Sequence, residues 1–320
     1  MKAMVKKSLA GDAPLVPVEM PTREPRAWEI RVAVKASSVN PADWKMLSSV
    51  PATIARRMLT RSGTISAGID FAGIVDAVGS RVTKIKPGDA VAGVTLSFLG
   101  GQGGYADTVI VPARMACPLP DGFDLVTAGA LPVAGYTAWK AVVEIGRVKK
   151  GQKALILGAS GGVGHLAVQI AKHVCGAFTV GVCSGKNEKL VKDLGADVVV
   201  DYKKGDPLEQ AKAHGPYQVV VDCVGDYSGA KCRALLAPSG KHVNVSPASA
   251  NGIAQLIASP LKSRTLQGVP IGAQLRPVTQ AIAADRIKVI VSERIPLADI
   301  NKAFALSQTG RTVGKIAIVP

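Results

Sequence analysis

The sequence predicts an α/β protein with two domains, a doubly wound parallel sheet and a domain rich in β-strands. Short β-type runs separated by glycine and proline fill residues 1 to about 111. Between Thr127 and about Ser263, strands then alternate with helices, which is the pattern of a parallel sheet. The 320 residues are also enough for two hydrophobic cores.

The individual elements follow from local patterns. The β-type runs of the first part are EIRVAVKASSV, DFAGIVDAVG, DAVAGVTL and ADTVIVP. In the second part, the two VVVD strands should be buried on both faces, because crossover helices cover a parallel sheet. Beyond the alternating series, two helical segments each accompany a β-type segment, which predicts a return of the chain to the first domain. The predicted domains are 1–126, 127–263 and 264–320, with the last joining the first.

Composition narrows the class of protein. Hydrophobic residues make up 48% and charged residues 19%, which excludes a disordered chain. No apolar stretch is long enough for a transmembrane span, and the N-terminal residues lack the apolar core of a secretory signal. We therefore expect a cytoplasmic protein, with peripheral attachment to an organelle membrane as an open alternative.

Lysine and arginine outnumber the acidic residues by 39 to 23, and the net charge is +16. Such a surplus favours weak contact with nucleic acid or with an acidic membrane surface. The basic residues are dispersed, however, and cluster only in ARRMLTR and GRVKKGQK. A solvated basic surface is the favoured interpretation, and the two contacts stay alternatives.

The stretch KALILGASGGVGHLAVQIAK joins a strand, predicted to end at Leu157, to a helix predicted to begin around Gly162. Between them lies a dinucleotide fingerprint with alanine at its first small-residue position, followed by Gly161 and Gly164. Gly161 and Gly162 would let backbone N–H groups approach a pyrophosphate at the positive end of the helix dipole, and Gly164 would let the helix pack closely on the strand. The alternative is a loop that only needs positive φ. A P-loop is excluded because no Gly-Lys-Ser/Thr follows.

The next strand indicates which dinucleotide is bound. An NAD site commonly has an acidic residue at the end of this strand, whereas this chain has GVCSGKNEKL. Ser184, Gly185, Lys186 and Asn187 offer a hydroxyl, an open backbone and a cation, which suit a 2′-phosphate. The sequence therefore predicts NADPH, with Tyr202 able to reach the same phosphate. The alternative is that Lys186 and Asn187 only open a solvated helix.

Four ordered motifs support a family resemblance: SSVNPADWK, GIDFAGIVDAVGSRVTKIKPGDAV, LPVAGYTAW and GASGGVGHLAVQIAK. Together they resemble the medium-chain dehydrogenase/reductase superfamily, and most of all its zinc-free quinone oxidoreductases. NPADWK, LPVAGYTA and the ending TGRTVGKIAIVP are similar to chloroplast-envelope quinone oxidoreductase homologues and related alkenal/enone reductases. The resemblance implies a Rossmann-type domain inserted into a GroES-like catalytic domain made from both ends of the chain, with the cofactor in the cleft between them.

The resemblance also implies the cofactor contacts. Thr137 would face the nicotinamide half, although a threonine inside a helix often bonds its own backbone instead. The pyrophosphate would be held by Gly161, Gly162, Val163 and Gly164. The adenosine phosphate would be held by Ser184, Lys186, Asn187 and Tyr202. Two strand ends, at Val224 and Gly225 and at Val245 and Ser246, belong at the ligand edge of an open sheet. The nicotinamide face would be lined by Val269 and Pro270.

Two catalytic candidates follow from the same resemblance. Lys45 matches a lysine that reaches cofactor or substrate across the cleft, and either Lys45 or solvent would supply the proton. Asn40 could hydrogen-bond the substrate oxygen and stabilise the charge that develops as hydride arrives. The alternative for Lys45 is a simple surface lysine. The alternative for Asn40 is a turn residue before Pro41.

The resemblance implies no metal site. Zinc alcohol dehydrogenases of the superfamily carry a cysteine near Asn40 and a His-Glu pair near Ile69 and Asp70, so this chain has no soft ligand set there. The five cysteines form no CxxC pair, which predicts buried free thiols. The four histidines lack metal spacing, and His165 is interpreted as a polar residue of the first helical turn.

These observations predict an enzyme that reduces quinones or α,β-unsaturated carbonyls with NADPH and without zinc. Such acceptors take up hydride without a Lewis acid, whereas a simple carbonyl needs polarisation. The alternative is an NADPH-binding, crystallin-like or RNA-binding protein with little turnover. Homodimerisation is expected because it is common in the superfamily.

Overall fold

The computed structural model describes residues 1–8, 13–48, 65–97, 101–245, 263–265 and 272–320. Three residues of the predicted cofactor site, Ser246, Val269 and Pro270, lie outside the described residues. The chain divides into two compact units. Unit 1 comprises Met1–Val133, Val269–Ala283 and Val291–Pro320, and unit 2 comprises Ala134–Gly268 and Ala284–Ile290.

The strands of the described residues are numbered in chain order. They are β1 Lys2–Lys6, β2 Val16–Glu19, β3 Glu29–Ser38, β4 Ile65–Ser66, β5 Asp70–Val78, β6 Ala90–Val94, β7 Thr108–Pro112, β8 Ala116–Pro118, β9 Lys153–Leu157, β10 Phe178–Cys183, β11 Val198–Asp201, β12 Tyr217–Asp222, β13 Leu236–Asn244, β14 Ser263–Thr265, β15 Val291–Pro296 and β16 Lys315–Val319. The α-helices are α1 Pro41–Ser48, α2 Leu125–Ala130, α3 Pro132–Trp139, α4 Gly164–Gln169, α5 Glu188–Asp193, α6 Pro207–Lys212, α7 Gly229–Ala234, α8 Arg276–Ala283 and α9 Ile300–Gln308.

Unit 1 is built mainly from antiparallel strands. One sheet has the order β15-β16-β3-β5-β6-β8, with β7 also pairing β3, and a smaller sheet has the order β2-β1-β4. The alternating residues of EIRVAV in β3 produce an alternation of partly and fully buried positions, as expected of a strand with one face on a core. Ile30 and Phe71 belong to one hydrophobic cluster, and Tyr105 and Ile316 to another.

Unit 2 is a doubly wound sheet with the strand order β11-β10-β9-β12-β13-β14, and all neighbouring strands are parallel. Every residue of the central strand β12 is buried, as predicted for a strand covered on both faces. The strand order reverses between β9 and β12, where open α/β sheets bind their ligands. The predicted α/β fold class, a parallel sheet together with a β-rich part, is confirmed.

The helical segment that was predicted from Thr127 onward is divided. Asp124 accepts a hydrogen bond from the Thr127 backbone N–H and caps α2. Pro132 starts α3, and a proline that lacks its N–H is tolerated in a first turn but not inside a helix. Beyond Trp139 the chain continues as a π-helical turn, Lys140–Ile145.

The predicted boundaries at residues 126 and 263 stay a proposal. In the sequence, Ala284–Ile290 lies between two stretches of unit 1, but its contacts assign it to unit 2. The polar contacts of this short segment, described below, were not indicated by the sequence pattern. In the part of the chain that the structure describes, no helix has the length and apolar character needed to span a membrane.

Candidate functional site

The glycine turn lies at the carboxyl end of β9. Leu157 is the last residue of β9, as predicted, and the first regular residue of α4 is Gly164, two positions after the predicted Gly162. The backbone N–H of His165 already donates to the Gly161 carbonyl at 3.0 Å, so helical hydrogen bonding does reach back to the fingerprint glycines. The difference therefore concerns only the irregular first turn.

Gly164 lies where the helix comes closest to the strand. A Cβ atom at this position would collide with the carbonyl oxygen of Gly158 and come within 2.9 Å of the Ala159 Cα atom. A glycine is required because no side chain fits between the two backbones. This is the packing role that the sequence pattern indicated for the third fingerprint position.

His165 has a structural role that the sequence did not indicate. Its side chain is fully buried, with Nδ1 2.9 Å from the Gly161 carbonyl oxygen and Nε2 3.1 Å from the backbone N of Ile290. A neutral ring satisfies both contacts, with Nδ1–H as donor and Nε2 as acceptor. Gln169 also bonds both backbone groups of Lys288. These contacts attach the segment 284–290 to α4 within unit 2, so His165 is more than a polar first-turn residue.

The predicted adenosine-phosphate site lies at the end of β10. Ser184 follows this strand, and its side chain is 4% exposed. Its Oγ atom is buried and has no hydrogen-bond partner among the described residues. Lys186 is exposed in the following turn, and Tyr202 is 49% exposed in the turn after β11. A buried hydroxyl without a partner beside an exposed lysine fits a phosphate group.

Two further polar residues shape this end of the sheet. Asp201, the last residue of β11, accepts the backbone N–H of Lys203 at 3.0 Å and orders the turn that contains Tyr202. A Cβ on Gly185 would lie 2.5 Å from Asp201 Oδ2, so a glycine leaves room for this carboxylate. The strand β10 itself has no terminal acid, as the sequence shows, but the tertiary structure brings one from the neighbouring strand.

Cys183 is a buried thiol, as predicted. Burial, together with the nearby carboxylates of Asp201 and Glu188, raises the pKa of Cys183 to about 11. The group is therefore protonated near neutral pH and is a poor nucleophile.

The ligand edge of the sheet was predicted at the ends of β12 and β13. Val224 and Gly225 lie just beyond β12, and their backbone N–H groups donate to Asp222 Oδ1 at 2.9 and 2.8 Å. Val245 follows β13, and its N–H donates to the Asp222 carbonyl at 3.0 Å. Asp222 thus holds three of the predicted positions, although the sequence analysis did not select it. Its other oxygen, Oδ2, is buried without a partner among the described residues, and burial raises the pKa of this carboxyl group.

Thr137 lies in α3 and is 8% exposed. Within the described part of the chain, its hydroxyl makes no hydrogen bond to the preceding helical turn, which was the alternative interpretation. A contact between this hydroxyl and the nicotinamide half stays a prediction.

In unit 1, Asn40 belongs to a buried polar network. Its Nδ2 donates to Asp70 Oδ2 at 2.7 Å, and its Oδ1 accepts from Lys315 Nζ at 2.6 Å. Asp70 Oδ2 also accepts from the Ser38 hydroxyl at 2.6 Å, while Oδ1 accepts the backbone N–H of Val133 at 2.9 Å. Lys315 was missed in the sequence, where the only signal is a lysine at the start of the apolar strand KIAIV.

Asp43 fixes the backbone beside this network. Its carboxylate accepts the backbone N–H groups of Asn40 at 2.8 Å and Ile69 at 2.9 Å. Burial raises the pKa of Asp43 to about 7, and the Asp70 carboxylate adds to this rise. Asp43 also interacts with the buried Tyr105 hydroxyl, and burial raises the pKa of that hydroxyl well above its usual value.

Lys45 lies on α1 and is partly exposed. Its Nζ atom is 5.6 Å from the ring centroid of Trp44, and it has no hydrogen-bond or ion-pair partner among the described residues. Those residues also contain no group of three or more His, Cys, Asp or Glu side chains that could hold a metal ion. The expectation that this chain uses no metal ion stays a prediction.

Comparison with known proteins identifies the family of this chain. An alcohol dehydrogenase GroES-like domain matches residues 26–121, and a zinc-binding dehydrogenase domain matches residues 194–318. The chloroplast envelope quinone oxidoreductase homolog of Arabidopsis thaliana is 32% identical, over 97% of this chain and 95% of that protein. The chain belongs to the quinone oxidoreductase family of the medium-chain dehydrogenase/reductase superfamily.

Other members of the quinone oxidoreductase family support this assignment. A chloroplastic quinone oxidoreductase of Triphysaria versicolor is 30% identical over 97% of this chain and 95% of that protein. The solved structure of the quinone oxidoreductase from Coxiella burnetii is 28% identical, with a TM-score of 0.88 over 100% of this chain and 99% of that one. The family resemblance predicted from the four sequence motifs is confirmed, and the chain is an oxidoreductase.

Proposed function

We propose that this chain is an NADPH-dependent reductase that transfers hydride to quinones or to α,β-unsaturated carbonyls without a metal ion. The proposal is carried by the adenosine end of unit 2, where the buried Ser184 hydroxyl has no hydrogen-bond partner among the described residues and Lys186 is exposed. A solved mycobacterial structure that is 25% identical, with a TM-score of 0.81, contains NADPH. Bound NADPH would supply the hydride.

The residues present fit this cofactor. Glycine at position 164 removes the Cβ that would separate α4 from β9, and this keeps the helix N-terminus close to the turn. Ser184 would donate to the 2′-phosphate, and Lys186 would offset its charge. Thr137 and the backbone held by Asp222 would bind the nicotinamide half of the cofactor.

The remaining steps belong to residues of unit 1. Asn40 would donate a hydrogen bond to the substrate oxygen and stabilise the negative charge that develops there. Lys45, partly exposed and without a protein partner among the described residues, would contact cofactor or substrate and supply a proton. Proximity and orientation would do most of the catalytic work, because the hydride donor carries the difficult chemistry.

The defining experiment measures the loss of NADPH absorbance with an ortho-quinone, a para-quinone and a short alkenone, with NADH in parallel. Turnover of the quinones alone would make the chain a quinone reductase, and turnover of the alkenone would extend the activity to C=C bonds. NADPH deuterated at nicotinamide C4 should pass its label to carbon in the alkenone product. Tight NADPH binding without turnover of any acceptor would contradict the proposal and support the alternative of a binding protein.

Cofactor choice is tested with a matched pair of lysines. Lys186→Ala should weaken NADPH binding about 10-fold, because one charge-assisted contact to phosphate is lost. Lys189→Ala is the control, since this 87% exposed side chain pairs with Asp193 at 2.7 Å. Equal effects of the two changes would show that Lys186 acts only as general surface charge.

The metal and assembly predictions have direct measurements. Activity should survive extensive treatment with a chelator, and elemental analysis should find no stoichiometric zinc. Dimerisation is tested by the mass in solution. Salt-sensitive binding to anionic vesicles or RNA would identify a partner for the +16 charge, and its absence would favour a solvated basic surface.

A further inference from the structure

Lys315 is a buried cation surrounded by oxygen atoms. Its side chain is 3% exposed, and Nζ lies 2.6 Å from Asn40 Oδ1, 3.1 Å from the Val39 carbonyl oxygen and 3.8 Å from Asp70 Oδ2. An ammonium group has three donors and no acceptor, so this environment of three oxygen atoms suits its charged form. Burial lowers the pKa of Lys315, and the Asp70 carboxylate opposes that change.

Two neighbours of opposite charge fix the orientation of the Asn40 side chain. An ionised carboxylate only accepts hydrogen bonds, so the amide nitrogen must face Asp70. An ammonium only donates, so the amide oxygen must face Lys315. A flipped amide would place two acceptors together on one side and two donors together on the other, and this would leave buried polar groups unsatisfied.

This arrangement decides what Asn40 can offer to a ligand. Its oxygen accepts from the ammonium, and one of its two N–H groups donates to Asp70. The second Nδ2–H has no partner among the described residues. A cation at the amide oxygen also draws electron density away from nitrogen, which strengthens the remaining N–H as a donor.

A contribution to the stability of the fold does not by itself explain why a lysine is buried at position 315. Burying an ammonium and a carboxylate costs desolvation free energy, and apolar residues of similar volume often stabilise a fold equally well or better. Lys6 shows that this unit contains another buried lysine, which is 1% exposed and donates to the Leu47 carbonyl oxygen. The contacts that the structure describes for these two lysines differ: Lys315 contacts the side chain of Asn40, a catalytic candidate, whereas Lys6 contacts a backbone carbonyl.

We propose that Lys315 is a positioning residue for the reduction, which holds and polarises Asn40 so that its free N–H stabilises the developing charge on the substrate oxygen. The inference rests on the proposed function, in which Asn40 contacts that oxygen. It adds Lys315, from the C-terminal strand β16, to the residues that support the reduction, although Lys315 is 275 positions along the chain from Asn40. Lys315 itself transfers no proton in this proposal.

A double-mutant cycle tests the inference. Asn40→Ala should lower kcat about 100-fold, as expected when one donor to a developing oxyanion is removed. Lys315→Met should lower kcat at least 10-fold in the wild-type background but cause no further loss in the Asn40→Ala background. Lys315→Gln, which keeps a neutral donor, should retain more activity than Lys315→Met. NADPH dissociation constants should change less than 3-fold.

Lys6→Met is the matched control for the loss of a buried lysine, and its kcat should stay within 2-fold of wild type. Thermal unfolding of every variant identifies folded protein. If Lys315→Met does not fold, the charge-balanced pair Asp70→Asn with Lys315→Met replaces it in the cycle, and Asp70→Asn alone becomes the reference for that pair.

The outcomes separate this inference from the proposed function. A wild-type enzyme that turns over no quinone or enone would refute the proposed function. An active wild type whose kcat is unchanged by Lys315→Met would overturn the inference alone. A kcat unchanged by Asn40→Ala would overturn both the inference and the role proposed for Asn40, while the reductase activity itself would stand. An equal loss from Lys315→Met in both backgrounds would also overturn it, because that result describes a structural residue that acts independently of Asn40.

Discussion

The side-chain amide of Asn187 donates a hydrogen bond to the Ser160 hydroxyl, 3.0 Å away. This bond joins the turn after β10 to the glycine turn after β9, so one end of the predicted cofactor site supports the other. The sequence predicts that Asn187 contacts the adenosine phosphate directly. The observed partner adds a positioning role to that proposal.

Asn187→Ala should weaken NADPH and NADH binding by the same factor, about 5-fold, because one neutral hydrogen bond contributes about 1 kcal/mol. The reason is that the lost bond orders the glycine turn, which both cofactors would use. Isothermal titration with each nucleotide measures the two constants. A loss confined to NADPH would instead indicate direct contact with the 2′-phosphate.

Ser184→Ala should weaken NADPH binding about 10-fold and leave NADH binding unchanged, because only the phosphate would use the hydroxyl. The free energy of unfolding of the unliganded protein should rise by about 1 kcal/mol, since the change removes a buried hydroxyl that lacks a partner among the described residues. Nucleotide titration and chemical denaturation provide the two readouts. Lower stability of the unliganded variant would show that Ser184 Oγ has a structural partner.

Asp222→Ala should destabilise the protein by about 2–3 kcal/mol and weaken cofactor binding, because Asp222 Oδ1 accepts two backbone N–H groups. Asp222→Asn keeps an acceptor and resembles the protonated form that burial favours. It should therefore cost less than 1 kcal/mol. Denaturation of both variants distinguishes the cases, and equal losses would contradict the role of the Oδ1 contacts.

The raised pKa of Asp43 leads us to expect a particular dependence of stability on pH. Its pKa is raised from 3.8 to about 7 in the folded protein, so between these values the folded state holds a proton that the unfolded state has lost. The contribution of Asp43 to stability is therefore complete below about pH 4 and is lost as the pH rises to about 7. Asp43→Asn should become more stable relative to wild type across this range.

Chemical denaturation of wild type and Asp43→Asn at several pH values between 4 and 8 gives this difference directly. The other carboxyl groups titrate in both proteins, so their effect on the free energy of unfolding cancels when the two values are subtracted. A difference that does not change with pH would show that Asp43 has the same pKa in the folded and unfolded states.

Most of the fold was predictable because it depends on local patterns. The glycine turn after Leu157, the apolar strands and the helical periodicity are properties of neighbouring residues, and the structure confirms the α/β class. The divided helix at Pro132 and the regular start of α4 at Gly164 differ from the prediction because both depend on the geometry of a single turn.

Partners that are distant in the chain were harder to predict. His165 contacts Ile290, 125 residues away, and a buried histidine has the same local signature as an exposed one. Asp201 approaches Gly185 from a neighbouring strand, although no acid ends β10. Asp222 resembles any acid at a strand end until its hydrogen bonds to the following backbone are known.

The sequence by itself determined the class of this protein: a parallel sheet with a dinucleotide turn, a β-rich part, and membership in the quinone oxidoreductase family. The sheet, the turn and the β-rich part depend on spacing and periodicity, which adjacent residues carry, and the family assignment rests on the resemblance of four ordered motifs. Only the tertiary structure decided that Asn40, Asp70 and Lys315 meet in one buried network. A buried charge must find its counter-charge and hydrogen-bond partners wherever the fold brings them, and strand pairing between β16 and β3 places Lys315 beside Asn40.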